Sequence, residues 1–143
     1  MATIKRVQNA SEFEAAYSIR FKVFVEEQSV PVELELDEYD QTAIHLLALE
    51  DGQAVGCGRL VFFEEYAKIG RVAVLKENRG NGYAKMICEE LVNIARERGA
   101  TKVILDSQCS AEGFYRRLGF ASEGEIFDDA GIDHIHMVMV INN

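Results

Sequence analysis

Two groups of residues in this chain combine types and spacing that could do chemistry. The first is Arg79-Gly80-Asn81-Gly82-Tyr83-Ala84, which follows the apolar run Val72–Leu75 and precedes a helical pattern. A strand that ends in small residues and turns into a helix leaves unpaired backbone N–H groups at the helix N-terminus, where they bind anions. Glycines let the backbone approach a phosphate closely, and Arg79 adds a cation. Lys76 and Lys85 flank the loop and could reach a further phosphate, although such lysines are usually plain surface charges. The second group is His134 and His136, two apart on an expected strand and so on one face. Imidazole suits proton transfer near neutral pH, and a hydrogen-bonded structural histidine is the competing reading for each. A metal site built from these two and His45 lacks cysteine or carboxylate company at close spacing, so no metal is expected.

Two well-known phosphate loops are excluded. No Gly-x-x-x-x-Gly-Lys-Ser/Thr string occurs, so there is no Walker A loop. The dinucleotide fingerprint needs a third Gly or Ala, where Gly80-Asn81-Gly82 is followed by Lys85. Gly56-Cys57-Gly58 fails in the same way. What remains is Arg-x-x-Gly-x-Ala, met by Arg79, Gly82 and Ala84. Taken alone it also fits a glycine turn before an amphipathic helix.

The surrounding elements must position these groups. Thr3–Val7 reads as a first strand. Ser11 reads as an N-cap with Glu14 completing a capping box, and Phe13, Tyr17, Arg20/Phe21 and Phe24 recur at helical spacing to about Glu26. Gln28–Asp40 is expected to be an irregular acidic segment. Ala43–Leu49 and Ala54–Phe63 form a hairpin about Asp51-Gly52, and Lys68–Leu75 is a third strand. Tyr83–Arg98 is an amphipathic helix ended by Gly99. Lys102–Asp106 is a buried-type strand and Ala111–Leu118 a short helix. Phe120–Phe127 and Ile132–Ile141 are two last strands. The order β-α-β-β-β-α-β-α-β-β indicates an α/β (α+β) domain over residues 1–143, antiparallel early, with parallel pairing at its centre.

Bulk properties narrow the function. The chain has 143 residues, 48% hydrophobic and 27% charged, as in one ordinary globular domain. Its net charge of −9 argues against a nucleic-acid binder and sits more easily with a cationic substrate such as an amine. Cys57, Cys88 and Cys109 form no C-x-x-C pair and read as reduced core cysteines of a cytoplasmic protein. The N-terminus lacks a signal-peptide pattern, and no run is long enough for a membrane span.

The Arg79–Ala84 loop resembles the pyrophosphate loop of the GNAT acetyltransferase superfamily. Ala111-Glu112-Gly113-Phe114-Tyr115-Arg116-Arg117-Leu118-Gly119-Phe120 is similar to that family's A-x-x-F-Y-x-x-x-G-F segment. Arg20–Gln28 with Glu35, Asp37, Asp40 and His45, and the ending Asp129–Met137, resemble its small bacterial ElaA/YjcF-like branch. The resemblance implies a mixed, mostly antiparallel sheet flanked by helices, and an acetyl-CoA-dependent N-acyltransferase acting on an amine of a small molecule or peptide. A non-catalytic acyl-CoA-binding or regulatory module of the same fold is the alternative.

By the same resemblance, Val72, Ala73 and Val74 would contact the pantetheine arm, and Val74 N–H would polarise the carbonyl. Arg79, Gly80, Asn81, Gly82, Tyr83 and Ala84 would hold the pyrophosphate. Phe114 would flank the thioester end, near Cys109, and Tyr115 would protonate the leaving sulfur. The strand glutamate of related enzymes is missing, since Gly70-Arg71 stands there. The base is therefore open among His134, His136, Glu26, Glu27, His45 and an ordered water, with His134 taken as catalytic. Arg20, Phe24, Glu27 and His136 are expected at the acceptor site. The acidic stretch Glu33–Asp40 could line that site, or Arg20 and Arg71 could pair with it. A homodimer is possible by resemblance.

Overall fold

A computed structural model describes residues Met1–Ile141. The strands are β1 (Ala2–Arg6), β2 (Ile44–Glu50), β3 (Gln53–Phe62), β4 (Tyr66–Val74), β5 (Lys102–Gln108), β6 (Ala121–Asp129) and β7 (Ile132–Val140). They form one sheet in the order β1-β2-β3-β4-β5-β7-β6. Among the described residues, only β4 and β5 pair in parallel, and they are joined through helix α3 (Tyr83–Glu97). The expected order of strands and helices is the observed one.

Helix α1 (Ala10–Arg20) begins earlier than its sequence suggests. Asn9, not Ser11, is the N-cap and accepts from Glu12 N–H at 2.9 Å. Glu12 reaches back to Gln8 N–H at 2.7 Å and pairs with Lys5, leaving no capping role for Glu14. Asn is at least as good an N-cap as Ser, which explains the two-residue shift. α1 continues into a π-helical segment, Phe21–Glu27, where Gln28 N–H bonds Val23 C=O at 3.1 Å, five residues back. The expected irregular acidic segment contains a short helix α2 (Val32–Glu35) and a 3₁₀ turn, Glu38–Gln41.

The sheet has a core on each face. α3 buries Ile87, Leu91, Ile94 and Ala95 against Leu46, Leu60, Ile69 and Val103. α1 and its extension bury Ala16, Ile19 and Val23 against Leu47, Cys57 and Ala73. Gly58 permits the α3 packing, since a Cβ there would lie 2.6 Å from Ile87 Cγ2. Helix α4 (Glu112–Leu118) ends at Gly119, whose φ of 109° is left-handed. Among the described residues, no helix is long and apolar enough to cross a membrane.

Candidate active site

The site begins with a defect in the sheet. β3 pairs Cys57 with Ala73 and then Arg59 with Gly70, so Gly58 alone faces both Arg71 and Val72. This is a β-bulge, and Arg71 takes a left-handed φ of 53° in it. Such a conformation is costly for a non-glycine residue unless its surroundings hold it. Here the Arg71 guanidinium is tied to Glu35 C=O at 2.8 Å and to the Glu35 carboxylate at 2.9 Å. By the bulge β4 has already left β5: the parallel ladder covers only Tyr66–Lys68 against Lys102–Ile104 and ends before Arg71. Between the parted strands lies a cavity of about 540 Å³, lined by Gly70–Val72 on one side and Leu105–Gln108 on the other. Phe24 and Gln28 overhang it, and Gln28 Oε1 accepts from Gln108 Nε2 at 2.8 Å.

The loop after β4 has the geometry its residues suggest. Gly80 and Gly82 have φ of 83° and 84°, with open space where a Cβ would stand. α3 starts with no side-chain cap, and Met86 N–H is the first to reach back, to Gly82 C=O at 3.1 Å. The preceding N–H groups therefore lie outside the helical ladder. Asn81 braces the turn by donating to Asn78 C=O at 3.0 Å. Tyr83 is buried with its hydroxyl on Glu50, so only its backbone could serve an anion. Ala84 is half-buried. Arg79 does not extend outward. Its Nε donates to Val74 C=O at 3.0 Å, and its two terminal nitrogens grip Glu27 at 2.7 and 2.8 Å.

Of the other expected site residues, Val72, Phe24, Tyr115 and His134 line the cavity. Ala73 and Val74 continue β4, with their side chains buried on opposite faces of the sheet. Tyr115 packs edge-on between Phe114 and Phe120, and Phe114 lies outside the cavity lining. Burial, with Cys88 beside the hydroxyl, pushes the Tyr115 phenol well above its usual range. Burial also pushes the Cys88 thiol up to about 12. His134 stacks on Phe127, and its Nδ1 lies 2.7 Å from Ile132 C=O. A carbonyl only accepts, so Nδ1 carries the proton and Nε2 keeps its lone pair in the neutral ring.

Several expected acceptor contacts are corrected. Arg20 is only 1% exposed and cannot meet a substrate. It bonds Glu35 Oε1 at 2.8 Å and Asp40 through both oxygens at 2.8 and 3.0 Å. Glu27 is absent from the cavity wall because Arg79 holds it. His136 is also outside the lining; its Nδ1 bonds Asp106 Oδ1 at 2.8 Å, while Asp106 Oδ2 takes Lys68 at 3.0 Å. His45 packs on Phe13 with Nε2 at 2.9 Å from Asp40 C=O, and Glu26 is exposed away from the cavity. Cys57 and Cys88 are buried as expected, but Cys109 is only half-buried.

Arg59 went unread in the sequence, although a charge inside the apolar run Val55–Val61 was the signal for it. It grips Asp37 with two bonds, at 2.7 and 2.8 Å, and reaches Asp40 at 3.0 Å. Burial would raise the Asp40 carboxyl, but hydrogen bonds from Arg20 and Asp37 N–H, and the charges of Arg20 and Arg59, hold it well below the usual range. Glu35, Asp37 and Asp40 of the acidic stretch are therefore paired with Arg20, Arg59 and Arg71. Among the described residues, no group of His, Cys, Asp and Glu is arranged to hold a metal ion.

Comparison with known proteins agrees with this geometry. The acetyltransferase (GNAT) domain family model matches residues 7–141. The uncharacterized N-acetyltransferase YjcF of Bacillus subtilis is 37% identical over 133 residues, covering 92% of this chain and 94% of the relative. An acyl-CoA N-acyltransferase from Pseudomonas aeruginosa superposes with a TM-score of 0.86 at 31% identity, covering 98% of this chain and 99% of that one. Escherichia coli ElaA superposes with a TM-score of 0.87 at 24% identity, covering 97% and 99%. The bulged and parted strands, the uncapped glycine loop and the family match together place this chain in the GNAT acetyltransferase family, in its ElaA/YjcF-like branch.

Proposed function

We propose that this protein transfers an acetyl group from acetyl-CoA to an amine of a small molecule or peptide. The observation that carries the reading is the parting of β4 from β5, which opens a cavity with Tyr115 and His134 in its wall. Support for acetyl-CoA comes from the family and from the fit of its parts. The uncapped N-terminus of α3 and the open space at Gly80 and Gly82 suit a pyrophosphate. The unpaired edge of β4 around Val72–Val74 suits an amide-bearing arm, with Val74 N–H available to polarise a carbonyl.

Acetyl-CoA would supply the acyl group as a thioester. The chain's task is then to manage two protons and hold the reactants in register. His134 Nε2 would take the proton of the attacking amine as the N–C bond forms. The Tyr115 hydroxyl would donate to sulfur as the C–S bond breaks. Its burial keeps the phenol protonated at neutral pH, the state an acid needs. Cys88, itself held as a thiol, does not compete for that proton. Exchange with solvent then restores both side chains.

Calorimetric titration with acetyl-CoA tests the first half. Wild type should bind, and Gly82→Glu should not, because it places a carboxylate and a Cβ where φ is left-handed. Failure of wild type to bind would reject the reading. Tyr115→Phe tests the second half: turnover should fall by about a hundredfold or more with acetyl-CoA affinity retained. Unchanged turnover would remove Tyr115 from the chemistry.

A further inference from the structure

The cavity offers its acceptor very little unpaired charge. Glu35 lies between Arg20 and Arg71, at 2.8 and 2.9 Å. Asp37 is gripped by Arg59 at both oxygens, and Asp106 is shared by His136 and Lys68. Glu33 and Glu38 are exposed and outside the lining. Among the described residues, the one lining carboxylate without an ion-pair partner is Asp129, at the exposed end of β6. A polyamine or basic peptide would bring several ammonium groups, each needing a counter-charge once out of water.

What the wall does offer is an aromatic ledge. Phe63 stacks on Tyr66 at 4.8 Å and meets Tyr39 edge-on at 5.9 Å. Phe63, Tyr39 and Leu34 all line the cavity, and Leu34 is 54% exposed. Phe63 is held in place from two sides and adds apolar surface to the cavity wall. Rings prefer offset or edge-to-face partners, so a ledge of this kind favours a ring over an alkyl chain.

Resting on the acetyl-transfer reading, we infer that the acceptor is a primary amine carried on an uncharged aromatic body, which docks on Phe63 and Tyr39. The charged network in the wall is paired within itself and does not attract the substrate.

The test compares initial rates of CoA release from acetyl-CoA with 2-phenylethylamine, n-butylamine and spermidine. For the full chain, kcat/KM should favour 2-phenylethylamine over each of the others by about tenfold or more. Phe63→Ala should erase the advantage over n-butylamine without changing acetyl-CoA affinity. Phe63→Leu, which keeps apolar volume but loses the ring, should reduce it. Equal or better rates with spermidine would overturn the inference. So would an advantage that survives both substitutions, or acetylation of none of the three by protein that binds acetyl-CoA. Absence of acetyl-CoA binding by wild type would overturn the underlying reading as well.

Discussion

Arg79 and Glu27 meet in a two-pronged ion pair, at 2.7 and 2.8 Å, that fastens the glycine loop to the end of the π-helical segment. Arg79 Nε, on Val74 C=O, fastens the same loop to the end of β4. The guanidinium thus braces the loop whose backbone would meet a pyrophosphate. Through Glu27 the brace reaches a segment that carries Phe24 over the cavity. Removing either partner should therefore have the same consequence. Glu27→Ala and Arg79→Ala should each weaken acetyl-CoA binding by up to about fivefold, the scale of an exposed pair. The double variant should be no worse than either single one. Calorimetry on the four proteins reads this directly. Tighter binding by Glu27→Ala would mean instead that Glu27 competes with phosphate for Arg79.

Arg20 carries the buried charge network, with Glu35 and Asp40 on its guanidinium. Breaking one side of a buried pair leaves an uncompensated charge. Arg20→Met should destabilise the protein by about 3–5 kcal/mol, measured by urea unfolding. Adding Glu35→Met should recover part of that loss, because it removes a buried carboxylate that has lost one of its two arginines and keeps only Arg71. A cost no larger than that of an ordinary surface substitution would show that the network is not structural.

The same network sets an acid limit. Asp37 is held below its ordinary value first by the hydrogen bond from Arg59, and Asp40 is also held low, against its burial. A carboxyl with a lower pKa folded than unfolded stabilises the fold fully above its unfolded value, about 3.9. That stabilisation is lost as pH falls below there toward the folded value. Stability should therefore decline between about pH 4 and pH 2, and Asp40→Asn should flatten that decline while lowering stability at pH 7. An unchanged profile would remove Asp40 as its source.

His134 presents a test by rate. If its Nε2 takes the amine proton, His134→Gln should lower kcat by about a hundredfold with acetyl-CoA affinity retained. His136→Gln, which removes the contact to Asp106, should leave kcat largely unchanged. A loss of kcat in His136→Gln with none in His134→Gln would transfer the role.

Gly58 governs how closely α3 approaches the sheet. Gly58→Ala places a methyl 2.6 Å from Ile87 Cγ2. It should cost about 1–3 kcal/mol by overpacking, and Ile87→Leu, which removes the Cγ2 branch, should return part of it. Thermal or urea unfolding of both variants reads the effect.

Much of this protein was legible in its residues because the signals are local. Alternation, helical spacing and glycine punctuation placed the strands, the helices and the loop Arg79–Ala84, since each depends on neighbours within a few positions. The paired blocks at Arg79–Ala84 and Phe114–Tyr115 pointed to the family for the same reason. Tertiary structure decided what each charged side chain does. Arg20 and Glu27 sit near the expected site in sequence yet face Glu35 and Arg79, partners 15 and 52 residues away. Ion pairs of that separation depend on how the sheet and loop stack, and no local pattern encodes them. The bulge at Arg71 belongs to the same class. Its left-handed turn is unfavourable for arginine by local preference, and contacts from Leu34, Glu35 and Asp37 hold it.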